Sequence, residues 1–260
     1  QWCAVLQRQP WPSEHVQFAD RAAAARLVGV APAQPGLWFP AASVIAAGRC
    51  VAALLAAAGT EVHRASVGRL ERVDGVWRVV AVDGSTIATA PVVVVAAAMN
   101  SARLLDATLM PMSAVAGQMT LLDAPALASL RAGLGGDGTL LRAPDGTIAI
   151  GATFDPGESA AGELDQRAAD HRNLARLERL LAEPVEARAV GRYWGVRCIA
   201  RDRLPYAGSV ADEAGALTAA RLRGAHFRDL PRRAGLYAAC ALGSRGLAFA
   251  ALAAELIAAG

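Results

Sequence analysis

Gly195-Val-Arg-Cys-Ile-Ala-Arg-Asp-Arg-Leu-Pro-Tyr-Ala-Gly208 puts one arginine, Arg197, at the end of an apolar run and then turns through Asp202, Pro205 and Gly208. The preceding Ala189-Val-Gly-Arg-Tyr-Trp194 is rich in branched and aromatic side chains and predicts a strand. Arg197 is therefore expected to leave a sheet and point into whatever cavity that sheet covers. A guanidinium so placed favours a carboxylate or phosphate, gripped through two parallel hydrogen bonds. A structural ion pair with Asp202 fits the local sequence equally well, and these residues alone do not choose between the two.

Composition narrows the chemistry. With 260 residues, 54% hydrophobic and 19% charged, the chain can bury a large core as one domain or two interleaved ones. A net charge of +3 permits a polyanionic partner without requiring one. All 26 basic residues are arginine, so a Walker-A phosphate loop, a pyridoxal Schiff base and a lysine nucleophile are excluded. Cys3, Cys50, Cys198 and Cys240 lie far apart with no CxxC pair, which indicates neither a zinc site nor a disulfide framework; the expectation is no metal and a reducing cytoplasm. Ala41 to Ala58 is strongly apolar, but Gly48 and Arg49 interrupt it, so it reads as a buried helix packed on a sheet and not as a membrane span. The first residue is Gln1, and the chain is expected to be a piece of a longer one.

In chain order, residues 1 to 35 read as connecting structure around a short helix from Ala19 to Leu27. Strand-like runs follow at Glu61 to Val67, Gly68 to Val73, Val76 to Val82 and Thr86 to Ala90, with Asp74-Gly75 and Asp83-Gly84 as hairpin turns. Pro91-Val-Val-Val-Val-Ala96 is continuously apolar, as a strand buried on both faces of a parallel sheet is. Leu109 to Leu122 and Gly138 to Phe154 predict a more antiparallel layer, and Leu164 to Leu181 an amphipathic helix. Gly133-Leu-Gly-Gly-Asp-Gly138 formally satisfies GxGxxG. It lacks the strand-before, helix-after context that lets this motif hold a dinucleotide, and it reads as a glycine-rich turn. Between Ala211 and Ala234 the composition is loop-like, with Arg221, Arg223, Arg228, Arg232 and Arg233 free to meet phosphates or solvent. Leu236 to Gly246 predicts a buried strand entering a glycine turn, and Leu247 to Ala259 a helix; that order makes an anion site from backbone N–H groups and the helix dipole.

The pattern Gly195-Val-Arg-Cys-x-x-Arg-Asp-x-Leu-Pro-x-x-Gly208 resembles the signature of the flavin-dependent oxidoreductase domain of the bifunctional tRNA 5-methylaminomethyl-2-thiouridine biosynthesis proteins, within the D-amino-acid oxidase and glycine oxidase superfamily. Trp2-Cys-Ala-Val-Leu-Gln7, Leu109 to Gln118, Ile150-Gly-Ala-Thr-Phe154 and Ala241-Leu-Gly-Ser-Arg-Gly-Leu247 resemble the same family in the same order. The resemblance implies an α/β fold of the D-amino-acid-oxidase kind, in which an FAD-binding Rossmann-type domain interleaves with an antiparallel substrate domain. On that pattern residues 1–108 and 201–260 form the FAD-binding domain and residues 109–200 the substrate-binding domain.

The resemblance also implies roles. FAD would be held by Ala98, Gly117, Gly243, Ser244, Arg245, Gly246 and Leu247, and the substrate by Arg197, Gln118 and Tyr206, with Arg197 the catalytic clamp on a carboxylate. The implied reaction removes the carboxymethyl group from carboxymethylaminomethyl-uridine at the tRNA wobble position, through an imine that water splits to aminomethyl-uridine and glyoxylate. The implied partners are tRNA and a fused methyltransferase domain, with no membrane. Two departures stand out. The family's own FAD fingerprint, expected before Trp2, is missing, so this length of chain alone is expected to be inactive; and Ala97-Ala98 replaces the family's Asn-Gly, where glycine allows closer backbone approach. The sequence leaves open an oxidase of free amino acids such as glycine, and a non-catalytic relative that binds tRNA or a partner.

Overall fold

A computed structural model describes residues 11–108, 110–157, 163–218, 226 and 229–259. The first elements are β1 (Gln17–Ala19), α1 (Arg21–Val28), β2 (Gly36–Trp38) and α2 (Ala47–Ala58). Next come β3 (Val67–Val73), β4 (Val76–Ala81), β5 (Thr86–Ala90), β6 (Val93–Val95) and α3 (Asn100–Leu105). They are followed by β7 (Met112–Asp123), β8 (Leu134–Gly136), β9 (Gly138–Arg142), β10 (Ile148–Gly151), β11 (Asp155–Pro156) and α4 (Glu163–Leu180). The last are β12 (Arg188–Ala200), β13 (Tyr206–Ala211), α5 (Glu213–Thr218), β14 (Arg232–Cys240) and α6 (Gly246–Ala258). The motif Trp2 to Gln7, Leu109, and Arg221, Arg223 and Arg228 lie outside the described residues.

The chain divides into two units. One comprises Gln1–Gly59, Ala116–Asp155 and Ser159–Gly195, and the other Thr60–Val115, Pro156–Glu158 and Val196–Gly260. The inner breaks fall at 115/116 and 195/196, where the sequence suggested 108/109 and 200/201; residues up to 59 group with the first unit.

In the first unit β7, β10, β9 and β8 form an antiparallel run, with β12 also pairing β7. The alternation Ile148, Ile150 on β10 and Leu140 on β9 gives one apolar face, and α4 covers it with Leu177 and Leu180. Gly133 to Gly138 is the β8–β9 hairpin: Gly136 stands opposite Gly138, so the string is a turn and no dinucleotide loop. Of the strand expected from Glu61 to Val67, which falls in the other unit, only Val67 is in a strand, as the first residue of β3. The helix expected over residues 41–58 starts only at Ala47, and none of its residues is buried, with Leu54 and Val51 well exposed. An apolar pattern states which face a helix can bury; it does not supply the cover. The short β1–β2 pair was unmarked because three-residue strands carry too little periodicity.

In the second unit β3, β4 and β5 form the meander, turning through Asp74-Gly75 and Asp83-Gly84 as the sequence required. A separate three-stranded sheet has the order β13-β14-β6, with β14 and β6 parallel (Leu236 opposite Val93, Ala238 opposite Val95). Trp77 joins the core of this unit with Val95, Leu105, Val210 and Leu236. Gly235, at φ 73°, is required there: a Cβ would lie 2.2 Å from the Pro91 carbonyl oxygen. β6 is parallel as expected but not buried on both faces. Val95 points inward while Val92 and Val94 are exposed, because β6 is the edge strand of its sheet.

Candidate functional site

Parallel strands end at the same edge of a sheet, and ligands of open α/β sheets bind at that carboxyl edge. Here β6 runs into α3 through Ala96-Ala97-Ala98-Met99, and β14 runs into α6 through Ala241-Leu-Gly-Ser-Arg245. Both turns need the left-handed backbone region. Ala98 adopts φ 48° and Ala241 φ 58°, with Gly243 also at 58°. For alanine this conformation costs on the order of 1 kcal/mol relative to glycine, and such strain gathers where a turn is shaped for a ligand. The Ala97-Ala98 departure thus keeps the glycine-like path. The Ser101 hydroxyl, fully buried, accepts the Ala97 N–H at 3.1 Å and pins the first turn.

The end of β12 is tied directly to the second turn. Ile199 bridges Leu242 in antiparallel fashion, and the Gly243 N–H donates to the Cys198 carbonyl at 2.9 Å. Arg197, half-buried, therefore stands next in sequence to the residue that holds the glycine turn. Asp202, the alternative ion-pair partner, accepts the Leu204 N–H at 2.9 Å within its own loop. Arg197 lies within β12 and not beyond it, and Tyr206 opens β13, a strand the sequence disguised as a turn. The Tyr206 hydroxyl donates to the Pro111 carbonyl at 3.3 Å.

Under these turns lies a sulfur-rich cluster that the sequence did not mark. Cys198, Ala200 and Ala241 are buried with Met99, Met112 and Tyr206 around them. The Cys198 sulfur is 3.4 Å and the Cys240 sulfur 3.9 Å from that of Met112. Burial pushes both thiols above their ordinary values, with the neighbouring Cys240 adding to the effect on Cys198. Burial likewise raises the Tyr206 phenol, and Asp202 adds to it. The two thiols are packing groups held neutral.

The start of α6 is open to a ligand. No side chain caps the N-terminus of α6, Leu247 is 53% exposed, and a Cβ on Gly246 would meet nothing within 4 Å. An uncapped helix start of this kind presents backbone N–H groups and the positive end of the helix dipole to electron density. Ser244 is exposed at the same place. Arg245 instead turns away: its guanidinium lies 4.7 Å from the Phe249 ring centroid and donates to the Arg203 carbonyl.

Gly117 and Gln118 belong to the other unit and are buried on β7. Gln118 is 1% exposed; its amide donates to Asp170 at 2.8 Å and to the Gln166 carbonyl at 2.9 Å, while its oxygen finds no partner among the described residues. Its surroundings form a polar network between two strands and α4. Thr120 donates to Asp170 at 2.7 Å, Arg192 pairs with the second Asp170 oxygen at 2.7 Å, and Asn173 donates to the Gln118 carbonyl at 2.9 Å. Thr153 accepts the Gln118 N–H at 3.0 Å in the same network.

A family model described as FAD dependent oxidoreductase (DAO) matches residues 1–259. The chain belongs to this family. FAD is the cofactor of the family, and the chain is an FAD-dependent oxidoreductase domain. It is 42% identical over 258 residues to the tRNA 5-methylaminomethyl-2-thiouridine biosynthesis bifunctional protein MnmC of Burkholderia thailandensis; the alignment takes in 95% of this chain but only 39% of that relative's length. Among solved structures, glycine oxidase from Bacillus cereus ATCC 14579 superposes with a TM-score of 0.74 at 16% identity, covering 98% of this chain and 68% of that one. Glycine oxidase from Geobacillus kaustophilus gives 0.69 at 21% identity, covering 99% of this chain and 64% of that one. At these identities the structures establish the D-amino-acid-oxidase-like fold alone. No helix among the described residues is long and apolar enough to cross a membrane.

Proposed function

We propose that this chain is the oxidoreductase part of a tRNA-modifying enzyme that removes the carboxymethyl group from carboxymethylaminomethyl-uridine at the wobble position, leaving aminomethyl-uridine. The observation that carries the reading is the Gly243 N–H to Cys198 carbonyl bond, which sets Arg197 beside the turn suited to a flavin. When bound, FAD supplies the two-electron acceptor. Ala98, Gly243, Ser244, Gly246 and Leu247 are the residues to hold its ring, the exposed amides of the α6 start offering a positive edge.

Arg197 grips the substrate carboxylate by two charge-assisted hydrogen bonds, and this orients the carbon between carboxylate and secondary amine. No side-chain base is needed if the amine binds neutral. Tyr206 walls the same pocket. The 42% identity to MnmC supports the substrate class, tRNA as partner, a fused methyltransferase and a cytoplasmic setting.

The test is anaerobic reduction of the enzyme flavin by carboxymethylaminomethyl-tRNA in the full-length protein. Arg197→Ala is expected to cost about 2–5 kcal/mol of transition-state binding, and Arg197→Lys to restore only part, since an ammonium lacks the planar fork. Flavin content and melting temperature should stay at the parental values. A variant that loses flavin and stability together would make Arg197 a structural residue. Reduction by free glycine but not by tRNA would move the substrate to the amino acids.

A further inference from the structure

Three arginines of the second unit form no salt bridge with a carboxylate among the described residues. Arg72 donates to the Ala234 carbonyl at 2.5 Å and to that of Gly75 at 3.5 Å. Arg103 donates to the Gly68 carbonyl at 2.5 Å and to that of Val67 at 3.3 Å, and Arg233 to the Leu105 carbonyl at 2.5 Å. A carbonyl fixes a guanidinium without cancelling its charge, and five N–H donors leave several for another acceptor. The nearby Glu71 is already shared by Arg69 and Arg78. Asp74 and Asp106, adjacent in the chain, form no salt bridge with the three.

The three sit together. Arg72 and Arg233 both lie over the Trp77 ring, 5.6 and 5.2 Å from its centroid. Arg233 reaches Leu105 at the end of α3, the helix that carries Arg103, and Arg103 reaches back to the start of β3, the strand that carries Arg72. The result is a cationic face with pre-set side chains, which lowers the ordering cost of binding an anion.

We propose that Arg72, Arg103 and Arg233 dock the sugar-phosphate backbone of the RNA substrate. This rests on the RNA reading of the function and adds the place where the RNA is held. It also moves the contact away from the arginines of residues 221–228 to a face built from three separated segments. Guanidinium forks match phosphate oxygens bidentately, and phosphate contacts position a nucleic acid without reading its sequence.

The probe is an unmodified tRNA transcript with a wobble uridine, titrated by fluorescence anisotropy against the full-length protein across a salt series. Each lost phosphate contact removes about 0.7–0.9 from the slope of log affinity against log salt, so R72Q/R103Q/R233Q should lower the slope by about 2 and weaken binding more than tenfold at low salt. R72K/R103K should keep the slope. R179Q, an ion-paired arginine of the other unit, should leave it unchanged. A parent that binds tRNA with the same slope as the triple variant overturns the docking face and leaves the function standing; a parent that does not bind tRNA overturns the function. Arginine modification by phenylglyoxal, read by mass spectrometry on the unaltered protein, serves if the triple variant does not fold. Bound tRNA should protect Arg72 and Arg103 but not Arg188, whose side chain is 77% exposed. Equal modification with and without tRNA overturns the face.

Discussion

Both units place arginines on carboxylates and on carbonyls, since Arg131 and Arg142 of the first dock on the Arg26 and Ala128 carbonyls and Arg69 and Arg78 of the second pair with Glu71, but the balance differs. In the first, arginines pair with carboxylates: Arg172 with Asp155, Arg176 and Arg179 with Asp137, Arg188 with Asp123, and Arg192 with Asp170. In the second, Arg72, Arg103, Arg233 and Arg245 dock on backbone carbonyls, and three of them also lie over aromatic rings. A paired charge is locally cancelled and acts as a strut, whereas a carbonyl-docked charge still projects its field into solvent. The unit that carries the β14–α6 turn and Arg197 thus also holds these four carbonyl-docked arginines.

The comparison breaks most visibly at Trp77, the aromatic floor of the cationic face. It is 2% exposed and its indole N–H donates to the Ala234 carbonyl at 3.0 Å, the same oxygen that Arg72 uses. Trp77→Ala should cost about 3–5 kcal/mol, the range for deleting a buried aromatic ring, read by denaturant unfolding. Trp77→Phe keeps a π face and loses only the N–H, for about 1 kcal/mol. A cost for the alanine variant no greater than that for phenylalanine would mean that the carbonyl bonds alone hold the arginines.

In the first unit the corresponding point is Asp170, which collects Gln118, Thr120 and Arg192. Asp170→Ala removes an acceptor from all three, although Gln118 keeps the Gln166 carbonyl. Because Arg192 is 34% exposed, the full penalty of a buried unpaired charge does not apply, and a loss of about 2–3 kcal/mol is expected. Asp170→Asn keeps an oxygen for Thr120 and Gln118 and should recover part of it. If alanine and asparagine cost the same, the charge on Asp170 carries the network and the neutral hydrogen bonds add little.

Much of this division was legible beforehand, but unevenly. The β14–turn–α6 element follows from a largely apolar strand, a glycine turn and an apolar helix in that order. The hairpins at Asp74-Gly75 and Asp83-Gly84 follow from the same kind of rule. The left-handed residues Ala98 and Ala241 were not legible, because alanine gives no sign that it occupies a region glycine prefers. Which face of β7 Gln118 occupies was not legible, because it is set by register against β10 and by the polar side of α4, both long-range. Carbonyl-docked arginines leave no pattern at all: Arg72 and Ala234, or Arg103 and Gly68, meet only once the fold exists.

The smallest expected effect separates the units by pH. At the acid end both respond alike. The Asp137 carboxyl is held below its ordinary value chiefly by the hydrogen bond from Arg179, and that of Glu71 chiefly by the one from Arg78. A depressed folded value contributes stability above the unfolded carboxylate range, and that contribution is lost as pH falls through the folded value. At the alkaline end the units part. Cys198, Cys240 and Tyr206 of the second unit are raised, first by burial, so their neutral forms favour the folded state. Their contribution is complete below the unfolded thiol and phenol ranges and is lost as pH rises through the raised folded values. Hydrogen exchange, corrected for intrinsic rates and followed from neutral pH upward, should therefore show β13 and β14 losing protection before β9 and β10. Cys198→Ala with Cys240→Ala lowers the starting stability by removing buried volume, but it should flatten the alkaline decline of β14. A decline of unchanged steepness in that double variant would place the alkaline sensitivity on Tyr206 and leave the buried thiols as inert packing.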